Sequence, residues 1–251
     1  MADNADTSGQ SARGVGAALS HLTHNKTEAA LLLTRALTLF FTVAYLVPVF
    51  GVSSAAAYQK ALMASAATSA LRLHQRLPAF RLSRDFLALL VVEDSAHYLL
   101  FALLFATNAP LTLALLPIAL FAFLHFCAQS LALVDRCGQR GAMGGALSSV
   151  VESYQRSILQ TVALTEIMLM PAVVFAVLSG VVSIVAPFLY YRFVALRYAS
   201  RRNPYSRQMF HELRLSVQHL LYRPLCPQMV RNAGLSAIGL VERLAPPVAS
   251  N

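Results

Sequence analysis

Glu93, Asp94 and His97 place three ionisable side chains within five residues inside an apolar run, Phe86 to Ala106. At membrane depth an acidic pair costs several kcal/mol unless it is partnered, so such residues mark a functional site by default. They could carry an ion or a proton. They could also be structural, with the run starting in the headgroup region and the carboxylates pairing with Arg81 or Arg84. Catalysis would need a nucleophile and a base, or several metal ligands, converging in one pocket. Glu93-Asp94-x-x-His97 alone is a weak signal for a zinc site with an open position. His125, alone in another apolar element, reads as a core or interface histidine rather than a ligand.

The elements around this cluster point to a bilayer. From Ser95 to Val134, about forty residues pass without Asp, Glu, Lys or Arg, broken by Asn108-Ala109-Pro110. A span takes roughly twenty apolar residues, so this is a membrane hairpin with its turn at the break. The 251 residues are 57% hydrophobic and 12% charged, with a mean hydropathy of +0.58. Soluble domains carry about a quarter charged residues, so composition argues against a soluble bundle. Twenty basic against eleven acidic residues leave a formal charge of +9. In this setting the excess suits anionic headgroups, and no zinc-finger spacing, Lys-rich run or aromatic strand motif supports nucleic acid as a partner. Cys127, Cys137 and Cys226 form no close pair, so neither a disulfide framework nor a metal knuckle is expected.

The fold expected is all-α: a multi-pass helical membrane protein with a membrane hairpin and C-terminal amphipathic surface helices. Residues 1–24 read as a disordered tail without a secretory signal. Asn25 before Lys26-Thr27-Glu28 reads as a helix cap in preference to a glycosylation acceptor. Residues 25–195 form the membrane domain, with apolar elements near 36–59, 86–106, 111–134 and 157–191. The first would act as a signal-anchor. The connector behind it holds Lys60, Arg72, Arg76, Arg81 and Arg84 and belongs in the cytoplasm, which puts the N-terminus in the lumen. Tyr58 to Leu77 suits a helix lying in the membrane surface, or one displaying Arg72 and Arg76 to a partner.

Residues 135–145 read as a Gly-rich linker without a phosphate-loop signature. The element at 157–191 contains Pro171, Gly180 and Pro187. It fits either one kinked span or a broken re-entrant hairpin.

Residues 196–251 form a basic cytoplasmic tail. Met209, Phe210, Leu213, Val217, Leu220 and Leu221 recur at helical spacing, and a second stripe follows Arg223-Pro224-Leu225-Cys226-Pro227. Such helices can enter the headgroup zone or dock on the protein's own membrane domain. Arg72, Arg76, Arg201, Arg202, Arg207 and Arg214 are candidate headgroup or partner contacts. Cys226 is a candidate for palmitoylation.

Three blocks carry a resemblance: Thr68-Ser69-Ala70-Leu71-Arg72-Leu73-His74-Gln75-Arg76-Leu77-Pro78; Glu93-Asp94-Ser95 with His97-Tyr98-Leu99-Leu100; and Ser200-Arg201-Arg202-Asn203-Pro204-Tyr205 with Glu212-Leu213-Arg214. In this order they resemble the transmembrane protein 33 family, also called Krüppel homologue 2, over roughly His21 to Pro247. The resemblance implies a protein of the endoplasmic reticulum membrane and nuclear envelope that binds reticulons and restrains their tubule-forming activity. It also implies links to the unfolded protein response and reticulum calcium, with stress-sensor kinases, channels or nuclear pore components as further partners. It offers no active site and no cofactor. The competing reading is an accessory subunit or regulator of an ion channel or transporter that uses Glu93, Asp94 and His97.

Overall fold

The computed structural model describes residues 16, 20, 22–47, 51–77, 83–136, 142–200 and 202–246, and the regular structure among them is helical throughout. Local sequence sets the helix ends. Helix α1, Lys26–Leu46, stops with Val47 in extended backbone, as expected one residue before Pro48. Helix α2, Ser54–Arg76, starts where the Ser53 hydroxyl accepts from the Ala56 N–H at 3.3 Å, and ends with an extended Leu77 before Pro78. Helices α3, Arg84–Val92, and α4, Asp94–Ala106, follow, then α5, Thr112–Arg136. Helix α6, Ala142–Ser149, continues through a π-helical turn, Val150–Tyr154, into α7, Gln155–Leu178. The chain ends in α8, Ala186–Ala199, α9, Pro204–Leu221, and α10, Gln228–Leu244.

The helices form three antiparallel returns that share their ends. At one end Tyr45 Oη meets Thr112 Oγ1 at 2.7 Å, and the Ser183 N–H donates to Asn108 Oδ1 at 3.1 Å, so the turns α1–α2, α4–α5 and α7–α8 lie together. At the other end Glu28 of α1 pairs with Arg136 of α5, and Arg76 of α2 pairs with Glu93 at the start of α4. We call these the tip end and the polar end. Between them Tyr58, Phe101, Phe105, Ile118, Leu169, Tyr190 and Phe193 are fully buried. Phe101 lies 5.0 Å from Phe193 and Phe105 5.6 Å from Tyr190, centroid to centroid, within the favourable range for tilted and edge-to-face rings.

Among the described residues three helices are long and apolar enough to cross a membrane: Lys26–Leu46, Thr112–Arg136 and Met143–Leu178. Four expectations need correction. The run 86–106 is two helices bent by 81° at Glu93, and α3 exposes Leu87, Leu89, Val91 and Val92. Tyr58 to Leu77 is not a surface helix. Its small residues Ala57, Ala61, Ala64, Ser65 and Ser69 are buried, letting α2 pack closely along α1. Because α2 returns, Lys26 and Arg76 stand at the same end of the bundle, whereas the sequence reading separated them by one crossing. The first element also begins ten residues before 36, with Arg35 inside it.

At 157–191 the structure takes the hairpin alternative, with Pro171 accommodated inside α7. The turn after Leu178 holds Gly180 at φ +71°, a region costly for residues with a Cβ. An added Cβ there would meet nothing within 4 Å, so only the backbone is affected. Gly180→Ala should therefore destabilise by about 1–2 kcal/mol, read as a few degrees in the thermal midpoint of the purified protein.

Candidate functional site

The polar end concentrates the charges. Glu93 caps the corner between α3 and α4, and its carboxylate takes Arg202 Nη1 at 2.7 Å and Arg76 Nη1 at 3.2 Å. Asp94, one residue on, accepts from Arg197 Nη1 at 3.2 Å and from Ser200 Oγ at 3.1 Å. His97 Nε2 donates to the Val91 carbonyl at 2.7 Å, which fixes that nitrogen as the protonated one, and Nδ1 stands 3.8 Å from Asp94 Oδ1. Among the described residues the carboxylates meet Arg76, Arg197 and Arg202 and not Arg84; the other expected base, Arg81, lies outside the described residues. Arg76 precedes them in α2, and the other two come from α8 and the start of α9, about a hundred residues away.

A second acid completes the arrangement. Glu166 of α7, 2% exposed, accepts Arg197 Nε on both oxygens at 3.2 Å, and Arg197 is itself 4% exposed. Tyr98 Oη donates to Glu166 Oε1, and Tyr190 Oη donates to the Glu166 carbonyl at 2.7 Å. The Arg197 guanidinium also lies over the Tyr98 ring, 5.2 Å from its centroid. Arg197 thus joins α4, α7 and α8, its charge met by two carboxylates and its planar face by an aromatic ring. Sequence reasoning passed over Glu166 and Arg197. The available signal was a lone acid in an apolar run, which at membrane depth calls for a base from elsewhere.

The tail stripe lies partly against the protein. Met209, Phe210, Leu213 and Val217 are half-buried and Leu221 is buried, while Leu220 is exposed. Phe210 meets Tyr198 of α8 edge-on at 5.6 Å. Helix α10 folds back on α9 where Gly234 allows close approach: a Cβ there would come within 2.6 Å of Leu221 Cδ1. Arg214 pairs with Glu242 across the two helices, Arg207 is half-buried on α9, and Arg201 lies outside the described residues. The apolar side chains Met229, Val230, Leu240 and Val241 of α10 remain exposed.

Among the described residues no three His, Cys, Asp or Glu side chains are grouped to hold a metal ion. The arrangement at the polar end therefore consists of guanidinium–carboxylate pairs that tie helices together, beside an arginine-lined cavity treated below.

Compared with known proteins, residues 10–247 match the family described as Transmembrane protein 33/Nucleoporin POM33. The chain is 45% identical over 249 residues to Transmembrane protein 33 of Rattus norvegicus, covering 98% of this chain and 100% of that one. It is 42% identical over 231 residues to Krueppel homolog 2 of Drosophila melanogaster, covering 91% and 82% respectively. With the Transmembrane protein 33 homolog of Caenorhabditis elegans it shares 38% over 230 residues, covering 91% and 85%. No solved structure matches it. Two of these relatives are named as transmembrane proteins, and none of the three carries an enzyme name. A match along nearly the whole length, joined to a helical fold with membrane-length helices, places this chain in the transmembrane protein 33 family of multi-pass membrane proteins.

Proposed function

We propose that the chain is a non-enzymatic organiser of the endoplasmic reticulum membrane and nuclear envelope, entering the bilayer from the cytoplasmic side as a cluster of helical hairpins and associating with reticulon-type hairpin proteins. The observation that carries this reading is the tip end. Leu178, Ile184 and Phe188 are 77%, 72% and 71% exposed there. The polar groups beside them are satisfied within the protein: Asn108 Nδ2 donates to the Leu104 carbonyl at 2.7 Å and Ser179 Oγ to the Phe175 carbonyl at 2.9 Å. Apolar tips with internally paired polar groups belong in hydrocarbon.

Helices α1, α5 and α7 are long enough to cross the hydrocarbon core, and it is the two short helices that support a wedge. Helices α4 and α8, with 13 and 14 residues, reach only about 20 Å at 1.5 Å per residue, short of a core of roughly 30 Å. At the polar end α3, α9 and α10 add bulk, and Arg76, Arg202, Arg207 and Arg214 there support a cytoplasmic side for that end. On this reading both termini are cytoplasmic. A body wide at the headgroups and narrow at its tips favours curved membrane and competes for it with other hairpin proteins. Effects on stress signalling and reticulum calcium would follow from stress-sensor kinases, channels or nuclear pore components sharing that membrane. The carboxylates of Glu93 and Asp94, each already held by guanidinium groups, favour a positioning role over ion conduction by a channel regulator.

The test is co-reconstitution of the full chain with a reticulon-type hairpin protein in vesicles. Equimolar chain should reduce tubule formation, scored by electron microscopy, several-fold, and the two should co-purify. Undiminished tubulation without co-purification would remove the reading.

A further inference from the structure

The polar end holds a half-open cavity of about 250 Å³ whose lining includes five arginines, Arg35, Arg72, Arg76, Arg197 and Arg202, and the acid Asp94. Three carboxylates reach them. Glu93 holds Arg76 and Arg202, and Asp94 with Glu166 holds Arg197. Arg35 and Arg72 take no part in these pairs. Among the described residues neither comes within ion-pair distance of a carboxylate: Arg35 Nη1 donates to Gln129 Oε1 and the His125 carbonyl, and Arg72 Nη1 donates to His125 Nε2 at 3.2 Å. A guanidinium only donates, so His125 Nε2 is the bare, accepting nitrogen of a neutral ring. Arg35 is 7% exposed, and its Nε has no hydrogen-bond partner.

A buried Arg35 beside a half-buried Arg72, neither paired with a carboxylate, is costly in a folded protein, and an anion in the space between them would relieve that cost. Helix α2 supplies further donors: Ser69 and Ser65 line the cavity one and two turns before Arg72, on the same face. Planar guanidinium forks and hydroxyls are what a tetrahedral phosphate group takes up. The volume lies just under the roughly 300 Å³ at which drug-sized pockets begin. It suits a phosphorylated polyol headgroup better than an extended substrate. It lies toward the polar end, between the membrane-length helices α1 and α5 and beside the guanidinium–carboxylate pairs, and basic pockets between membrane helices take anionic headgroups.

We propose that this cavity is a binding site for a phosphate monoester on a small polyol, with Arg35 and Arg72 as the residues that hold the phosphate. The same chemistry occurs on a phosphoinositide headgroup and on a soluble inositol phosphate, and the experiment separates them. The full chain in detergent is melted with dioctanoyl phosphatidylinositol 4-phosphate, with inositol 1,4-bisphosphate, and with dioctanoyl phosphatidylcholine as the neutral-headgroup control.

A saturating ligand should raise the midpoint by about 5 °C. A rise with the phosphoinositide alone assigns the site to lipid, and an equal rise with inositol bisphosphate assigns it to the soluble phosphate. Arg35→Gln with Arg72→Gln should weaken binding at least tenfold while leaving the ligand-free midpoint unchanged or higher, because the uncompensated charges are gone. A purely structural pair would instead lower that midpoint. Should the double variant not give monodisperse protein, Ser69→Phe, which fills the cavity without altering its charges, should abolish the shift. The proposal is overturned if neither phosphate compound shifts the wild type, if phosphatidylcholine shifts it equally, or if the variants respond as the wild type does.

Discussion

Arg197→Met is expected to lower the thermal midpoint of the purified chain by about 10 °C. Three groups lose their partner at once. Glu166 and Asp94 each give up a guanidinium at 3.2 Å, and the Tyr98 ring loses the cation over its face. Breaking a buried pair by deleting one side costs about 3–5 kcal/mol, because the other charge stays buried. Adding Glu166→Gln should recover a large part of the loss, since the deepest uncompensated carboxylate is then neutral. Arg214→Met is the control. Its pair with Glu242 is about half exposed on both sides, and exposed pairs contribute about 0–1 kcal/mol. Melting curves followed by retention of monodisperse protein check all three variants. If Arg197→Met melts within two degrees of wild type, the triad is not what fastens α8 to α4 and α7.

The same triad marks where sequence reasoning reached its limit. Elements set by local chemistry were legible: the run 111–134 appears as α5, Thr112–Arg136, and Arg223 to Pro227 separates α9 from α10. A charge-free window was a poor guide to helix ends. It excluded Arg35 from the first helix, because a charge counts as a boundary unless the fold provides a polar cavity to house it, and here four other helices, α2, α4, α5 and α8, build one. Helix α2 was misplaced for a related reason. Ala, Ser and Thr score as weakly polar, yet their small size lets α2 and α1 pack closely, and Thr68 Oγ1 reaches Thr34 Oγ1 at 2.8 Å.

The bend at Glu93 had no proline or glycine to announce it. It is held by Arg76 and Arg202, which join the corner only in the folded chain. For the Glu93, Asp94 and His97 cluster the residue types were legible and the partners were not, since pairing across about a hundred residues depends on two intervening hairpins.

Ile184→Arg with Phe188→Arg tests how deep the tips sit. Both side chains are among the most exposed apolar groups of the α7–α8 hairpin, so neither substitution disturbs the packed interior. Any penalty must come from the surroundings. In water it is close to zero. Near the bilayer centre, exchanging an apolar residue for arginine costs about 3 kcal/mol, so two cost roughly 6, comparable with the whole stability of a small domain. With tips embedded, the double variant should lose the hairpin from the membrane. Ser183→Cys, placed in a background with Cys127, Cys137 and Cys226 replaced, would report this in sealed microsomes. With the native tip it should resist an impermeant thiol reagent applied to either side, and with both arginines it should label from the cytosolic side. Labelling of the native tip only after the membrane is opened would make α7–α8 a full crossing, with both arginines tolerated in the lumen. A full crossing by a 14-residue α8 would require the bilayer to thin around it, so deformation by mismatch would replace the wedge as the source of curvature.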